Sequence, residues 1–349
     1  MLYKNINIDA LAYELAPEVV SSEELERQLE PVYRRLKLPQ GRLELMTGIH
    51  ERRFWPRGFR PSDGAILAGR KALAQSSLRP QDIGCLVMCS VCRDFLEPAT
   101  ATVVHHALGL PPQCLVFDLS NACLGMLTGM VTASALIEQG VVGAALLVSG
   151  EDCRPLLEST VHKMNSDLSL TRQSVKPYFA SLTIGSGAAA IALSRRGTGR
   201  GGLRFVGGAC LADTSHNELC QGGGGDGGTL MLTDAETLLA RGVEVAAKTW
   251  TAFKNESSWD AAGVDVFCAH QVGKAHRDLL FQTLGLDTAK DFPTFPALGN
   301  MGSVSCPATA AMAIEAGRLP PGGRMALLGI GSGINCAMLG IEREKNALS

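Results

Sequence analysis

The sequence predicts an α/β protein built from two related halves, and two observations carry that prediction. Short apolar runs alternate with helical stretches along the whole chain, as buried strands separated by helices require. Segments from the first half also recur in the same order in the second, 176 to 181 residues later.

The elements follow in chain order. Ser22 to Arg35 is charged with spaced leucines and reads as one amphipathic helix. Cys85-Leu-Val-Met-Cys89, Ala144-Ala-Leu-Leu-Val148, Val264-Asp-Val-Phe-Cys268 and Met325-Ala-Leu-Leu328 are short and apolar, as central strands are. Cys114 to Leu119 reads as a further strand, followed by a small-residue helix running toward Gly140. Gly222 to Gly228 reads as a glycine-dense surface loop.

Val131-Thr-Ala-Ser-Ala-Leu-Ile-Glu-Gln-Gly140 is echoed by Ala308-Thr-Ala-Ala-Met-Ala-Ile-Glu-Ala-Gly317 at an offset of 177. The same offset carries Cys123 onto Asn300. Ala107-Leu-Gly-Leu110 is echoed by Thr283-Leu-Gly-Leu286 at 176, and Ala145-Leu-Leu147 by Ala326-Leu-Leu328 at 181. An offset of 181 sets Cys89 beside His270. A period this long is a duplication rather than a solenoid repeat. It divides the chain into residues 1–200, holding Cys123, and residues 201–349, holding His270 and Asn300.

Hydrophobic residues make up 46% of the 349 and charged residues 19%, enough for a large core. A formal net charge of −2 predicts no nucleic-acid or anionic-membrane surface. Eleven scattered cysteines, with no signal-peptide pattern at Met1-Leu2-Tyr3-Lys4-Asn5, point to reduced thiols in a cytoplasmic protein. Cys89-Ser-Val-Cys92 has C-x-x-C spacing but no second pair, so no metal site is expected. Gly185-Ser-Gly187 lacks the features of a phosphate loop and reads as close backbone packing.

Three residues stand out chemically. Cys123 falls at a strand-to-helix junction, where unpaired N–H groups and the helix dipole are expected to lower a thiol pKa. A thiolate there forms an acyl-enzyme with a thioester. His270 directly follows an apolar strand, and Asn300 lies in Leu298-Gly-Asn-Met-Gly302 just ahead of a small-residue helix. The duplication brings Cys123 and Asn300 to equivalent places near one pseudo-twofold axis.

Four segments then carry a resemblance: Asn121-Ala-Cys-Leu-Gly125, His270-Gln-Val272, Gly299-Asn-Met-Gly-Ser303 and Gly329-Ile-Gly-Ser-Gly333. They resemble the signatures of ketoacyl synthase III and related thiolase-superfamily condensing enzymes, in the right order and over nearly the entire chain. Gly48-Ile-His-Glu-Arg-Arg53, Ser90-Val-Cys-Arg-Asp-Phe-Leu-Glu-Pro98, Leu182-Thr-Ile-Gly-Ser-Gly-Ala188 and Ala326-Leu-Leu-Gly-Ile-Gly-Ser-Gly-Ile-Asn335 are most similar to the OleA type, the long-chain acyl-CoA thiolases of bacterial olefin biosynthesis.

The resemblance implies a five-layered αβαβα thiolase fold, a homodimer and fatty acyl-CoA substrates, with no cofactor beyond the CoA thioesters themselves. Cys123 would take the acyl group, and His270 and Asn300 would donate hydrogen bonds to the enolate oxygen of the second substrate. The N–H groups of Cys123 and Ser332 would form the oxyanion hole. Glu97, in Leu96-Glu-Pro98, would reach into the partner's site as the base for the α-proton, its pKa raised by apolar acyl channels. The implied reaction is a non-decarboxylative Claisen condensation giving a β-keto acid or thioester, passed to downstream lipid-processing enzymes.

Departures from ketoacyl synthase III sharpen this. Gly273 stands where that family has Asn, Ser186 where it has Asp, and Met46 where an arginine often grips the CoA nucleotide. The alternatives are decarboxylative condensation with malonyl-acyl carrier protein, or a non-catalytic thiolase-fold partner. A pure scaffold has no physical need of Cys123, His270 and Asn300 together.

Overall fold

The computed structural model describes residues 1–197, 202–225 and 228–345. The first half contributes β1 (Ile6–Leu15), β2 (Glu18–Ser21), β3 (Glu51–Phe54), β4 (Cys85–Met88), β5 (Leu115–Asp118), β6 (Ala144–Glu151) and β7 (Gly187–Arg195). The second contributes β8 (Leu203–Ala212), β9 (Cys220–Gly225), β10 (Gly228–Thr233), β11 (Val266–Ala269), β12 (Arg324–Gly331) and β13 (Asn335–Arg343). The helices are α1 (Ser22–Gln28), α2 (Glu30–Leu36), α3 (Arg42–Thr47), α4 (Pro61–Gln75), α5 (Thr100–Leu108) and α6 (Gly125–Glu138). They continue with α7 (Arg154–Ser166), α8 (Ala235–Ser257), α9 (Lys274–Leu284), α10 (Phe295–Leu298) and α11 (Ser305–Glu315).

The result is an α/β fold, a mixed sheet with helices on its faces. Among the described residues nine strands run in the order β11-β12-β13-β8-β1-β7-β6-β4-β5. β4 pairs parallel with β5 and β6, and β11 pairs parallel with β12. The link across the middle is short: β1 meets β8 through Asn7↔Arg204 and Ile8↔Leu203, and the residues ahead of β1 add Leu2↔Gly207, with Tyr3 N–H donating to Val206 O and Gly208 N–H to Met1 O.

Strand alternation sorts side chains between layers. Cys85 and Val87 of β4, Ala145 and Leu147 of β6, Val266 and Cys268 of β11, and Met325 and Leu327 of β12 join one central cluster with α6 and α11. The alternate residues Leu86, Met88, Leu146 and Val148 pack outward against α4 and α5. Phe267, Ala269, Ala326 and Leu328 pack outward against α8 and α9. Central strands buried on both faces explain the near-continuous apolar runs read from the sequence.

Two local expectations are corrected. Ser22 to Arg35 is two helices, not one, because Pro31 in the first turn of α2 has no N–H to extend α1; the break falls at Leu29. Gly222 to Gly228 is a hairpin rather than a loop: β9 and β10 pair antiparallel from Gly225↔Gly228 to Cys220↔Thr233, residues 226–227 lying outside the described residues. Glycine suits the close approach of α7, since a Cβ at Gly228 would sit 2.4 Å from Ser159 Oγ, and Gly228 has φ +90.

Candidate active site

The candidate residues lie mostly on loops that follow parallel strands, where open α/β sheets place their sites. Cys123 follows β5, the Glu97 segment follows β4, His270 follows β11 and Ser332 follows β12. Asn300 precedes α11.

Cys123 sits just ahead of α6, whose N-cap is Leu124. The preceding Ala122 has φ 45, a left-handed conformation that an L side chain adopts at a cost. That turn is fixed by Asn121, whose Nδ2 donates to Thr128 Oγ1 at 2.8 Å. Asn335 Nδ2 donates to Asn121 Oδ1 at 3.1 Å and to Ser332 O at 3.4 Å, fastening the β12–β13 turn to the nucleophile turn. A Cβ built on Gly331 would lie 3.7 Å from Cys123 N, so the two turns are neighbours. Among the described residues, no backbone carbonyl takes the N–H of Cys123 or Ser332. The Ser332 N–H is left without an acceptor among the described residues, while the Cys123 N–H points to its own Sγ.

The expected depression of the Cys123 pKa does not occur. Burial, then the Glu151 carboxylate and the Cys220 and Cys153 thiols, push it up to about 12, against a hydrogen bond from its own N–H. The helix end is outweighed because the thiol is enclosed beside a carboxylate. At rest Cys123 is a neutral thiol.

Asn300 is held by its backbone and its carbonyl oxygen. Its N–H donates to Thr183 O and its C=O accepts from Gly185 N, both at 2.9 Å. A Cβ at Gly185 would sit 2.2 Å from Leu298 O, so only glycine lets these segments approach. This bears out close packing as the role of Gly185-Ser-Gly187. Asn300 Oδ1 accepts from Gly302 N at 3.0 Å and Ser305 Oγ at 3.5 Å, which leaves Nδ2 as a free donor.

His270 is 5% exposed, and its N–H donates to Leu328 O at 2.8 Å. Burial, with a smaller contribution from His276, lowers its pKa to about 3. The two rings meet edge to face with centroids 6.5 Å apart, and burial lowers His276 to about 4. His270 is thus a neutral imidazole able to donate one hydrogen bond. Its neighbour Gln271 accepts from Thr294 N (2.9 Å) and Phe295 N (3.0 Å), tying the His270 segment to the start of α10, which leads to Asn300.

Glu97 is not brought to Cys123 within the chain. It is exposed, with no hydrogen bond or ion pair among the described residues, and does not face an apolar channel there. Around it Leu96 is 95% exposed, Val91 52% and Phe95 40%. Beside this loop β5 is the edge strand of the sheet.

Sequence reasoning missed Glu151, the buried last residue of β6. Its Oε1 accepts from Ser303 Oγ at 2.6 Å and Val91 N at 3.0 Å, and its Oε2 from Cys92 N at 3.0 Å. An acidic residue closing an otherwise apolar strand, Ala144 to Gly150, was the available signal. Of the C-x-x-C pair, Cys89 is buried in the core and Cys92 is half-buried, its N–H donating to Glu151; among the described residues no group of three or more His, Cys, Asp or Glu is placed to hold a metal ion.

Residues 117–210 match the family model 3-oxoacyl-[acyl-carrier-protein] synthase III, and residues 255–342 match its C-terminal model. The chain is 43% identical over 350 residues to the acyl-CoA:acyl-CoA alkyltransferase of Shewanella oneidensis, covering 98% of this chain and 100% of that one. It is 38% identical to the enzyme of that name from Xanthomonas campestris, covering 97% and 98%. Its structure is similar, at TM-score 0.92 and 37% identity over 98% of this chain and 100% of the other, to a cysteine-to-serine variant of Xanthomonas campestris OleA with bound lauric acid and lauroyl-CoA.

Proposed function

The chain belongs to the OleA-type family of acyl-CoA:acyl-CoA alkyltransferases, ketoacyl synthase III-like condensing enzymes, and from that premise we propose that it joins two fatty acyl-CoA molecules by non-decarboxylative Claisen condensation. The observation that carries the reading is the fastening together of the Cys123, Ser332, His270 and Asn300 segments, with Glu97 left outward on an apolar loop.

Cys123 Sγ attacks the first thioester carbonyl, the N–H groups of Cys123 and Ser332 stabilise the oxyanion, and the CoA thiol leaves with the proton. A neutral resting thiol suits this exchange, because charge develops only once substrate has displaced water. The second acyl-CoA presents its thioester oxygen to His270 and to Asn300 Nδ2. The partner subunit's Glu97 takes its α-proton, the enolate attacks the acyl-Cys123 carbonyl, and the C–S bond breaks as the Cys123 sulfur takes up the proton that Glu97 gives back, restoring the neutral thiol and the carboxylate. The product is a β-ketoacyl thioester, or the β-keto acid after hydrolysis, for downstream lipid-processing enzymes.

A homodimer is supported by the open edge of β5 beside exposed Leu96, Val91 and Phe95, since an unpaired strand edge invites pairing with another chain. The five-layered αβαβα fold of duplicated halves, residues 1–200 and 201–349, is supported by matching strand orders. Cys89 N–H donates to Val148 O and His270 N–H to Leu328 O, each at 2.8 Å, so Cys89 and His270 hold corresponding positions. Among the described residues no helix is long and apolar enough to cross a membrane. Eleven free cysteines support a reducing, cytoplasmic setting.

The test is incubation with a long-chain acyl-CoA alone, following CoA release and β-keto product. Product without any malonyl donor is the expected result; strict dependence on malonyl-acyl carrier protein overturns the non-decarboxylative reading.

A further inference from the structure

Glu151 is 1% exposed and, among the described residues, has no cationic partner. A buried carboxylate without a counter-charge is costly, and it persists here because neutral donors surround it. Those donors come from two functional segments. Val91 N and Cys92 N open the loop that carries Glu97, while Ser303 Oγ and, at 3.3 Å, Ser303 N belong to the turn that follows Asn300. Gly302, which donates to Asn300 Oδ1, packs against the same carboxylate: a Cβ there would meet Oε1 at 3.2 Å. A chain of hydroxyls continues the fastening, Ser303 Oγ to Ser149 Oγ at 2.7 Å and Ser149 Oγ to Ser90 Oγ at 3.0 Å.

We infer that Glu151 is a positioning residue for the condensation step: its carboxylate clamps the Glu97 loop to the Asn300 turn, so that one residue fixes both the enolate-binding amide of its own site and the base that serves the partner's site. The inference rests on the proposed function, because it assigns the partner subunit's Glu97 as base. The clamp reaches Glu97 through the first residues of its loop. Each subunit therefore presents its own base outward from the place where it holds its own Asn300. The same charge acts on the nucleophile. Glu151 is the leading charged contributor, after burial, to keeping Cys123 protonated; Cys153 and Cys220 are the other titratable groups facing that thiol, and Cys92 faces Glu151.

Glu151→Gln keeps the shape but offers one acceptor atom in place of two, so its NH₂ must face an N–H of the Cys92 or Ser303 side. In the full-length dimer, intact-mass measurement of acyl-Cys123, steady-state condensation, and the pH profile of Cys123 alkylation read by peptide mass spectrometry separate the effects. Glu151→Gln is expected to form acyl-Cys123 at near wild-type extent and to lose about 10- to 100-fold in condensation, the size of a roughly 1 Å misplacement. Its Cys123 alkylation profile moves to lower pH. Loosened packing would move it the same way by admitting water, so Glu151→Asp decides: it keeps the charge and restores part of the profile and of condensation if the carboxylate acts on the thiol, and behaves like Glu151→Gln if packing alone is at work. A folded Glu151→Gln with wild-type condensation and a wild-type alkylation profile overturns the inference. Should Glu151→Gln fail to fold, Ser303→Ala, which cuts the clamp but keeps the charge, decides: condensation falls with the alkylation profile unchanged, and undiminished condensation overturns the clamp. Failure of the wild type to condense acyl-CoA alone would instead remove the functional reading, while the alkylation profile would still report on Glu151.

Discussion

Replacing His270 by asparagine should remove about half of the acid lability that the His270–His276 pair gives the fold. Both imidazoles have an ordinary value of 6.5 but are held at about 3 and about 4 by burial. A histidine depressed in the folded state takes up its proton first in the unfolded chain. Its penalty is absent well above 6.5 and grows as pH falls through 6.5 toward the folded value. Relative to about pH 7.5, each imidazole then costs roughly 2 kcal/mol at about pH 5, so the pair costs about 4 kcal/mol. His270→Asn keeps a hydrogen-bond donor, removes one titration and should lose roughly 2 kcal/mol less over the same interval. Urea unfolding of both proteins at several pH values and one fixed protein concentration gives this double difference, in which the carboxylates common to both cancel. Equal acid losses in the two proteins would refute the claim that His270 is buried and neutral, and with it the role of a neutral donor at the enolate oxygen.

Other outcomes follow from the same geometry. Cys123→Ala abolishes both the acyl adduct seen by intact mass and all condensation; surviving acyl-enzyme would remove Cys123 as nucleophile. Glu97→Ala loads Cys123 normally but does not condense, and mixing it with Cys123→Ala subunits restores about a quarter of wild-type activity, since half the dimers carry one complete site. No recovery would place the base within its own subunit. Leu96→Asp leaves the unfolding of the chain within about 0.5 kcal/mol, as exposed substitutions do, but shifts sedimentation toward monomer and lowers condensation with it. Gly185→Ala drives a methyl to 2.2 Å from Leu298 O and should cost about 1–3 kcal/mol in thermal unfolding, with a larger loss in condensation than in acylation because Asn300 moves.

The central strands were legible because burial on both faces writes a continuous apolar run, as in Ala144 to Val148, and the structure places strands there. Cys89 and His270, paired by the repeat offset, each donate an N–H to the neighbouring parallel strand, to Val148 O and Leu328 O. What escaped was set by surroundings rather than by local pattern. The break at Leu29 needed attention to Pro31. The β9–β10 pairing uses backbone alone, which glycine hides from propensity arguments. The Cys123 thiol is raised first by burial and then by Glu151, 28 residues away in sequence, and no helix-end argument can anticipate an enclosure and a carboxylate supplied by other strands.

The seam along β8 bears on how the chain can be cut. Even with the bonds of Met1, Leu2 and Tyr3 to residues 206–208, its ladder is short beside those of β6 with β7 and β12 with β13. The work of holding the two parts of the sheet together falls to the central cluster, where Leu127 and Met130 of α6 share one interior with Ala308 and Ala310 of α11 and with strands from both parts. A polypeptide severed between β7 and β8 would expose half of that interior on each fragment, so neither fragment should fold alone. Expressed together, the fragments should find each other and rebuild a working nucleophile turn, because no strand pairing that matters to Cys123 depends on the severed bond. Fragment complementation is therefore a property of this architecture, and it offers a route to labelling one half of the molecule at a time.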